Sequence, residues 1–366
     1  MSIDLFTPYT LGPFSLPNRV VMAPMTRSRA TADHTPTPLM ADYYAARADA
    51  GLLITEGTSP APEGTGYARI PGLWSDEQIA GWRVVTDAVH AAGGRIAVQL
   101  MHTGRVGHPD NLPDGAEILA PSAAVLEGEM YTDQAGPQPH PAPRAMTADE
   151  VEAAVEGYVT AARNAVAAGF DMVELHGANG YLIDQFISPN VNQRDDQWGG
   201  DIEGRGRFAL EVARRTALAI GADRVGIRLS PFGVFNGITP WEGLDSDFIH
   251  LAQKLGALSL AYLHIVDHSS MGAPPVSEAV KSGMSEAFGG TIILSGGYDR
   301  ARGDADLAAA KGHLVAYGRP YISNPDLVTR LRTNAELNAP DFETFYTPGE
   351  KGYTDYPTLG GSSSTV

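Results

Sequence analysis

The chain contains no cysteine, and that absence removes disulfide staples, thiolate nucleophiles, zinc–thiolate centres and cysteine-held iron–sulfur clusters together. It also leaves the redox compartment unreadable from thiol usage. Basic residues are scarce: 26 Lys and Arg stand against 43 Asp and Glu, a formal charge of −17. Such a field repels phosphate backbones and anionic bilayers, so neither nucleic acid nor membrane is an expected partner. A small anion held by a few local Arg side chains remains compatible with it. No apolar run approaches the roughly 18 to 20 residues that span a bilayer. The N-terminus shows no basic stretch followed by an apolar core, and a cytoplasmic protein is expected. Also missing is a Gly-x-Gly-x-x-Gly turn after the first strand-like run, the mark of a dinucleotide-binding open sheet.

What the sequence does carry is alternation. Short apolar runs at 19–23, 51–55, 95–99, 172–175, 225–229, 262–266, 291–294 and 313–317 read as buried strands. Helical patterns near 38–49, 76–92, 147–168, 203–220, 244–256, 275–287, 301–310 and 324–333 separate and follow them. Eight such units in 366 residues predict an α/β chain closed into a single (β/α)8 TIM barrel, with a doubly wound open sheet as the rival. The expected domain covers 1–359, and the small polar residues 360–366 read as a disordered tail. One helix start is explicit, because Thr147 and Glu150 have capping-box spacing ahead of an Ala- and Val-rich face. The stretch 103–145 is rich in Pro and Gly, has little period and is too long for an ordinary connection. After the third strand of a barrel it reads as a lid-like loop at the catalytic face.

Residues just after barrel strands converge on one mouth, which makes their chemistry a joint property. His176, Asn179 and Tyr181 follow the apolar run 170–175. The first two can bond one oxygen of a bound molecule, and Tyr181, with an ordinary pKa near 10, is a proton donor at neutral pH. Taken singly, His176 reads as a structural imidazole and Asn179 as a turn residue. No second His or carboxylate pair lies nearby at ligand spacing, so no metal site is expected. Gly296, Gly297, Gly318 and Arg319 follow the last two strands, where barrels hold phosphate; the bland reading is tight turns. Gln99 and Arg228 face the middle of the mouth, where a planar heterocycle attached to that phosphate fits and Arg228 can stabilise negative charge on it. The bland reading of Arg228 is a partner for a buried carboxylate.

The segments 16–27 (LPNRVVMAPMTR), 97–100 (AVQL), 176–182 (HGANGYL), 226–231 (GIRLSP) and 317–325 (YGRPYISNP) together resemble the Old Yellow Enzyme family of FMN-dependent ene reductases, which includes N-ethylmaleimide reductase-like enzymes. The resemblance runs over nearly the whole chain. It implies an NADPH- or NADH-dependent flavoenzyme that reduces the C=C bond of α,β-unsaturated carbonyl or nitro compounds. Hydride would come from N5 of FMN and a proton from Tyr181, while His176 and Asn179 grip the electron-withdrawing group. Pro24, Met25, Thr26, Gly57, Gln99 and Arg228 would contact the flavin ring, and Gly296, Gly297, Gly318 and Arg319 its phosphate. Tyr67, Met101 and Tyr356 would line the substrate pocket. Thr26 places the chain with the branch bearing Thr, where others carry Cys. Met101 departs from members with Trp there, and Gly204 stands where Asn is common. Nitrate-ester or nitroaromatic reduction is an alternative activity. A non-redox barrel lyase is a rival class, but its Lys candidates, Lys281 and Lys311, fall in helical patterns. A monomer or homodimer acting on a small electrophile is expected.

Overall fold

A computed structural model describes residues 3–361. In it eight parallel strands pair in chain order and close into a barrel. They are β1 (Val20–Met22), β2 (Leu52–Thr58), β3 (Ile96–Leu100), β4 (Met172–Gly177), β5 (Val225–Leu229), β6 (Tyr262–Val266), β7 (Thr291–Ser295) and β8 (Leu314–Tyr317). The closing register sets Val315 beside Val20 and Tyr317 beside Met22. Each strand is buried on both faces, outward under helices and inward on the barrel core, which is why the strands read as continuous apolar runs. Most expected helices appear, but the pattern over 203–220 breaks at Gly206 into Ile202–Arg205 and Arg207–Ile220. Of the expected tail at 360–366, residues 362–366 lie outside the described residues.

Helix starts follow local chemistry. Thr147 and Glu150 complete the capping box of Ala148–Ala167, and Ser75 with Gln78 completes another ahead of Asp76–Ala91. Asp201 accepts the Gly204 N–H at 3.1 Å, and a Cβ at 204 would overlap the Gly199 carbonyl. The departure at Gly204 is therefore a packing requirement, and Asp201 supplies the helix-start contact.

Several elements have no periodic signal in the sequence. A hairpin, Tyr9–Leu11 with Phe14–Leu16, sends Leu11 and Leu16 into the inner core with Leu52, Met172 and Leu314. Gly12 packs on Asp223, just ahead of β5, so the hairpin stoppers the end at which the strands begin. The stretch 103–145 is ordered in parts rather than structureless. It carries the hairpin Glu129–Thr132 with Gly136–Pro139, and a short parallel pair, Leu119–Ala120 with Arg144–Ala145. Asn111 ties it down by donating to the Gly66 and Tyr131 carbonyls at 3.1 and 2.9 Å.

Inside the barrel, Gly226 on β5 leaves room for the ring of Tyr262 on β6, which a Cβ at 226 would overlap. Gly157 is the opposite case, a mid-helix glycine where an added Cβ meets only Ala61 Cβ at 3.8 Å. Gly226→Ala should lower stability by about 1–3 kcal/mol through overpacking. Gly157→Ala should raise it by about 0.5–1 kcal/mol. Urea denaturation of both variants checks the pair, and a destabilised Gly157→Ala or a neutral Gly226→Ala would contradict this packing.

Candidate active site

The strand ends open on a cavity of about 710 Å³, within the usual size range of a cofactor site. Pro24, Met25 and Thr26 reach it from the segment after β1, Gly57 from β2, and Gln99 and Met101 from β3 and just beyond. His176, Asn179, Tyr181 and Arg228 come from β4, the turn after it and β5. Gly296, Gly297, Gly318 and Arg319 close the far side. Tyr67 lines an adjoining cavity of about 690 Å³ that shares Thr26, Tyr181 and Tyr346 with the first.

Tyr356 is not brought to either wall. Its hydroxyl accepts the Asp341 N–H at 2.8 Å, and the aromatic positions at the rim are taken by Phe345 and Tyr346. Two buried arginines put them there. Arg27 donates to the carbonyls of Phe345 at 3.1 Å and Gly352 at 2.7 Å. Arg29 donates to those of Thr344 at 2.8 Å and Phe345 at 2.7 Å. Glu56, fully buried, fixes the same segment by accepting the N–H groups of Arg27 and Ser28 at 3.1 and 3.2 Å. The C-terminal segment and the Pro24–Thr26 wall are thereby held as one unit.

The floor is polar and ordered by one carboxylate. Glu174 has no exposure to solvent; it accepts from Gln99 Nε2 at 2.8 Å and pairs with His264 Nδ1 at 2.8 Å. A bulge in β2 between Ile54 and Gly57 sets Gly57 opposite Gln99. Gly57 leaves room for the tip of the Met101 side chain, which a Cβ there would displace. In register, Arg228 sits between His176 and His264. Burial pulls its guanidinium below the ordinary value and the charge of Glu174 works against that.

Above the floor stand the hydrogen-bond donors. Burial, then the positive charge of Arg228, push His176 well below its ordinary pKa, so it is a neutral imidazole. Its ring stands edge-on to Tyr181 with centroids 5.0 Å apart. Burial raises the pKa of Tyr181 and keeps it protonated. Its hydroxyl meets that of Tyr67 at 3.0 Å. Asn179 sits in the left-handed region at φ 61°, with its N–H on Ser230 Oγ at 2.9 Å.

These residues fit the flavin that the resemblance implies. Arg228 Nε and His176 Nδ1 are buried with no partner among the described residues, and a buried donor without a partner costs stability unless a ligand meets it. With its NH2 committed to Glu174, Gln99 offers a carbonyl to an N–H of a heterocycle. Arg319 is exposed and has no acidic partner among the described residues, as a phosphate site requires. The glycines also have packing duties: a Cβ on Gly296 would overlap the Asp267 carbonyl, and one on Gly297 would crowd Ser270. The rival lysines are spent elsewhere, Lys281 on Asp267 at 2.8 Å and Lys311 on Glu278 at 2.9 Å.

Comparison with known proteins gives the family of the chain. Residues 4–338 match the NADH:flavin oxidoreductase / NADH oxidase family. The structure is similar to morphinone reductase, with a TM-score of 0.94 and 46% identity over 98% of this chain and 97% of that one. A chanoclavine-I aldehyde reductase of Penicillium roqueforti is 44% identical over 96% of this chain and 95% of its own length. A rice (Oryza sativa subsp. japonica) 12-oxophytodienoate reductase is 41% identical, covering 99% and 96%.

Arg228→Lys separates a ligand-binding guanidinium from a mere counter-ion of Glu174, since Lys keeps the charge and loses the planar fork. Titration of the apoprotein with FMN should show affinity weakened roughly 10-fold or more, the worth of one charge-assisted hydrogen bond. Unchanged affinity would return Arg228 to a structural role.

Proposed function

The chain belongs to the NADH:flavin oxidoreductase / NADH oxidase family, and from that premise we propose that it reduces electron-poor alkenes with Tyr181 as the proton donor. The observation that carries the reading is the buried hydroxyl of Tyr181 on the cavity wall, beside a neutral His176, in a cavity that Arg228 also lines. The enzyme is an FMN-dependent NAD(P)H oxidoreductase. Thr26, Gln99 and Arg228 would hold the ring and Gly297, Gly318 and Arg319 the phosphate. FMN bound there supplies the hydride, which NAD(P)H replenishes.

The chain's own residues do the rest. His176 and Asn179 donate to the carbonyl or nitro oxygen of the substrate, and these bonds strengthen as negative charge gathers on it. Neutral His176 is suited to this, because it donates without placing a second cation beside Arg228. Tyr181 delivers its proton to the carbon next to the activating group, and burial keeps that proton in place through neutral pH. Phe345 and Tyr346 wall the mouth with apolar surface that favours an uncharged electrophile. Met101, buried at 1% exposure against Gly57, gives the side wall an adaptable thioether. A nitro or nitrate-ester oxygen can take the same two donors. The reading places the protein in the cytoplasm, as a monomer or homodimer whose partners are small molecules.

Tyr181→Phe tests it. Reduction of the bound flavin by NADPH should stay near the wild-type rate, while enone reduction slows by about 10²- to 10⁴-fold, the usual worth of a positioned general acid. Nitrate-ester reduction should suffer less. Stopped-flow measurement of the two half-reactions decides, and equal loss in both would mean that Tyr181 shapes the cavity without donating.

A further inference from the structure

The loop after β6 brings a residue to the cavity that no part of the function above has used. His268 lines the cavity and is 9% exposed. Its ring is held edge-on by Phe235, with centroids 4.6 Å apart at 68°. Its backbone carbonyl accepts the N–H groups of Met271 and Ala273 at 2.8 and 3.3 Å, so the loop closes on itself behind the ring. Asp267, next to it, is tied to Lys281 at 2.8 Å and to the Ser269 N–H at 2.9 Å. The imidazole is therefore fixed in place before anything binds. Its Nε2 lies 2.6 Å from Asn179 Oδ1.

We propose that His268 is a positioning residue that sets the direction of the Asn179 amide. This rests on the reading that His176 and Asn179 receive the substrate's oxygen. A carboxamide has an acceptor end and a donor end of nearly equal size, and rotation by half a turn exchanges them. Facing an oxygen that gains negative charge, one orientation stabilises it and the other repels it. The backbone of Asn179 is already secured, its N–H on Ser230 and its carbonyl accepting Asn236 Nδ2 at 2.7 Å. That fixes where the side chain starts but not which end faces inward. The Nε2–H of His268 on Oδ1 fixes it: the carbonyl end is occupied from the rear and the NH2 is left for the cavity. Burial first, and Arg228 second, hold the His268 pKa down to about 4, so the ring is neutral and has one N–H to give. With that proton on Nε2, the bond to Asn179 uses it.

His268→Phe keeps a ring against Phe235 and removes the donor, while His268→Gln restores a donor of similar reach. The readout is binding of a phenol to the oxidised holoenzyme, followed by its long-wavelength charge-transfer band, together with KM and kcat for a cyclic enone. His268→Phe should weaken phenol binding roughly tenfold, the worth of one hydrogen bond, with FMN content unchanged. His268→Gln should recover most of it. In an Asn179→Ala background, His268→Phe should have no further effect, because the amide it orients is gone. Wild-type affinity in His268→Phe would overturn the proposal, and so would equal loss in the Phe and Gln variants, which would make the ring's shape the cause. His268→Leu repeats the comparison should the Phe variant lose FMN. If Asn179→Ala alone leaves phenol affinity unchanged, the oxyanion reading fails instead.

Discussion

A carboxylate with no exposure to water has to be compensated, and Glu174 is placed so that compensating it builds the site. A lone buried charge costs several kcal/mol even after relaxation. Here Gln99 donates an N–H to one oxygen and His264 meets the other, while Arg228 lies on β5 two residues beyond the register partner of Glu174. Each partner is thereby held. Gln99 turns its carbonyl to the cavity, and Arg228 is retained as a cation in a place where burial alone would oppose it. His176, two residues along the same strand, stays neutral beside that cation. The floor of the mouth is one electrostatic unit, in which Glu174 orients Gln99 and His264 and offsets the burial of Arg228, while burial and Arg228 keep His176 neutral.

Around this unit the scaffold adds restraint rather than chemistry. The N-terminal hairpin fills the base, so the barrel is solid below the polar layer. Arg27 and Arg29 lash the C-terminal segment to the loop after β1, which carries Phe345 and Tyr346 to the rim. Sites that must hold donors to within a fraction of an ångström are supported in this way, by groups that are themselves fully bonded.

The eight strands and most helices were legible because a buried parallel strand is an apolar run and its covering helix an amphipathic one. The residues that meet at the mouth were legible for the same reason: strand ends share one face, so Gln99, His176, Arg228 and Arg319 needed only the barrel to be placed together. Glu174 has a signal in the sequence too, since it lies two residues before His176 and so shares its inward face. His264, a polar residue inside an apolar run, carried a similar one. Other features left no local trace. His268 sits in a loop without period, and its partner Asn179 is far off in sequence. Tyr346 reaches the rim through carbonyl contacts, its own accepting from Arg69 at 2.9 Å and that of Phe345 from Arg27 and Arg29, which a side-chain pattern cannot report. Tyr356 was expected at the wall from resemblance, and a local hydrogen bond to Asp341 takes it elsewhere.

The central claim is that the polar floor around Glu174 and the rim at Gly297, Gly318 and Arg319 together form an FMN site. Heat denaturation of the purified protein, with chromatography of the released chromophore, tests it most directly. The account predicts a yellow protein that releases FMN at close to one equivalent per chain. A colourless protein that does not take up added FMN, or one that releases FAD, would contradict it.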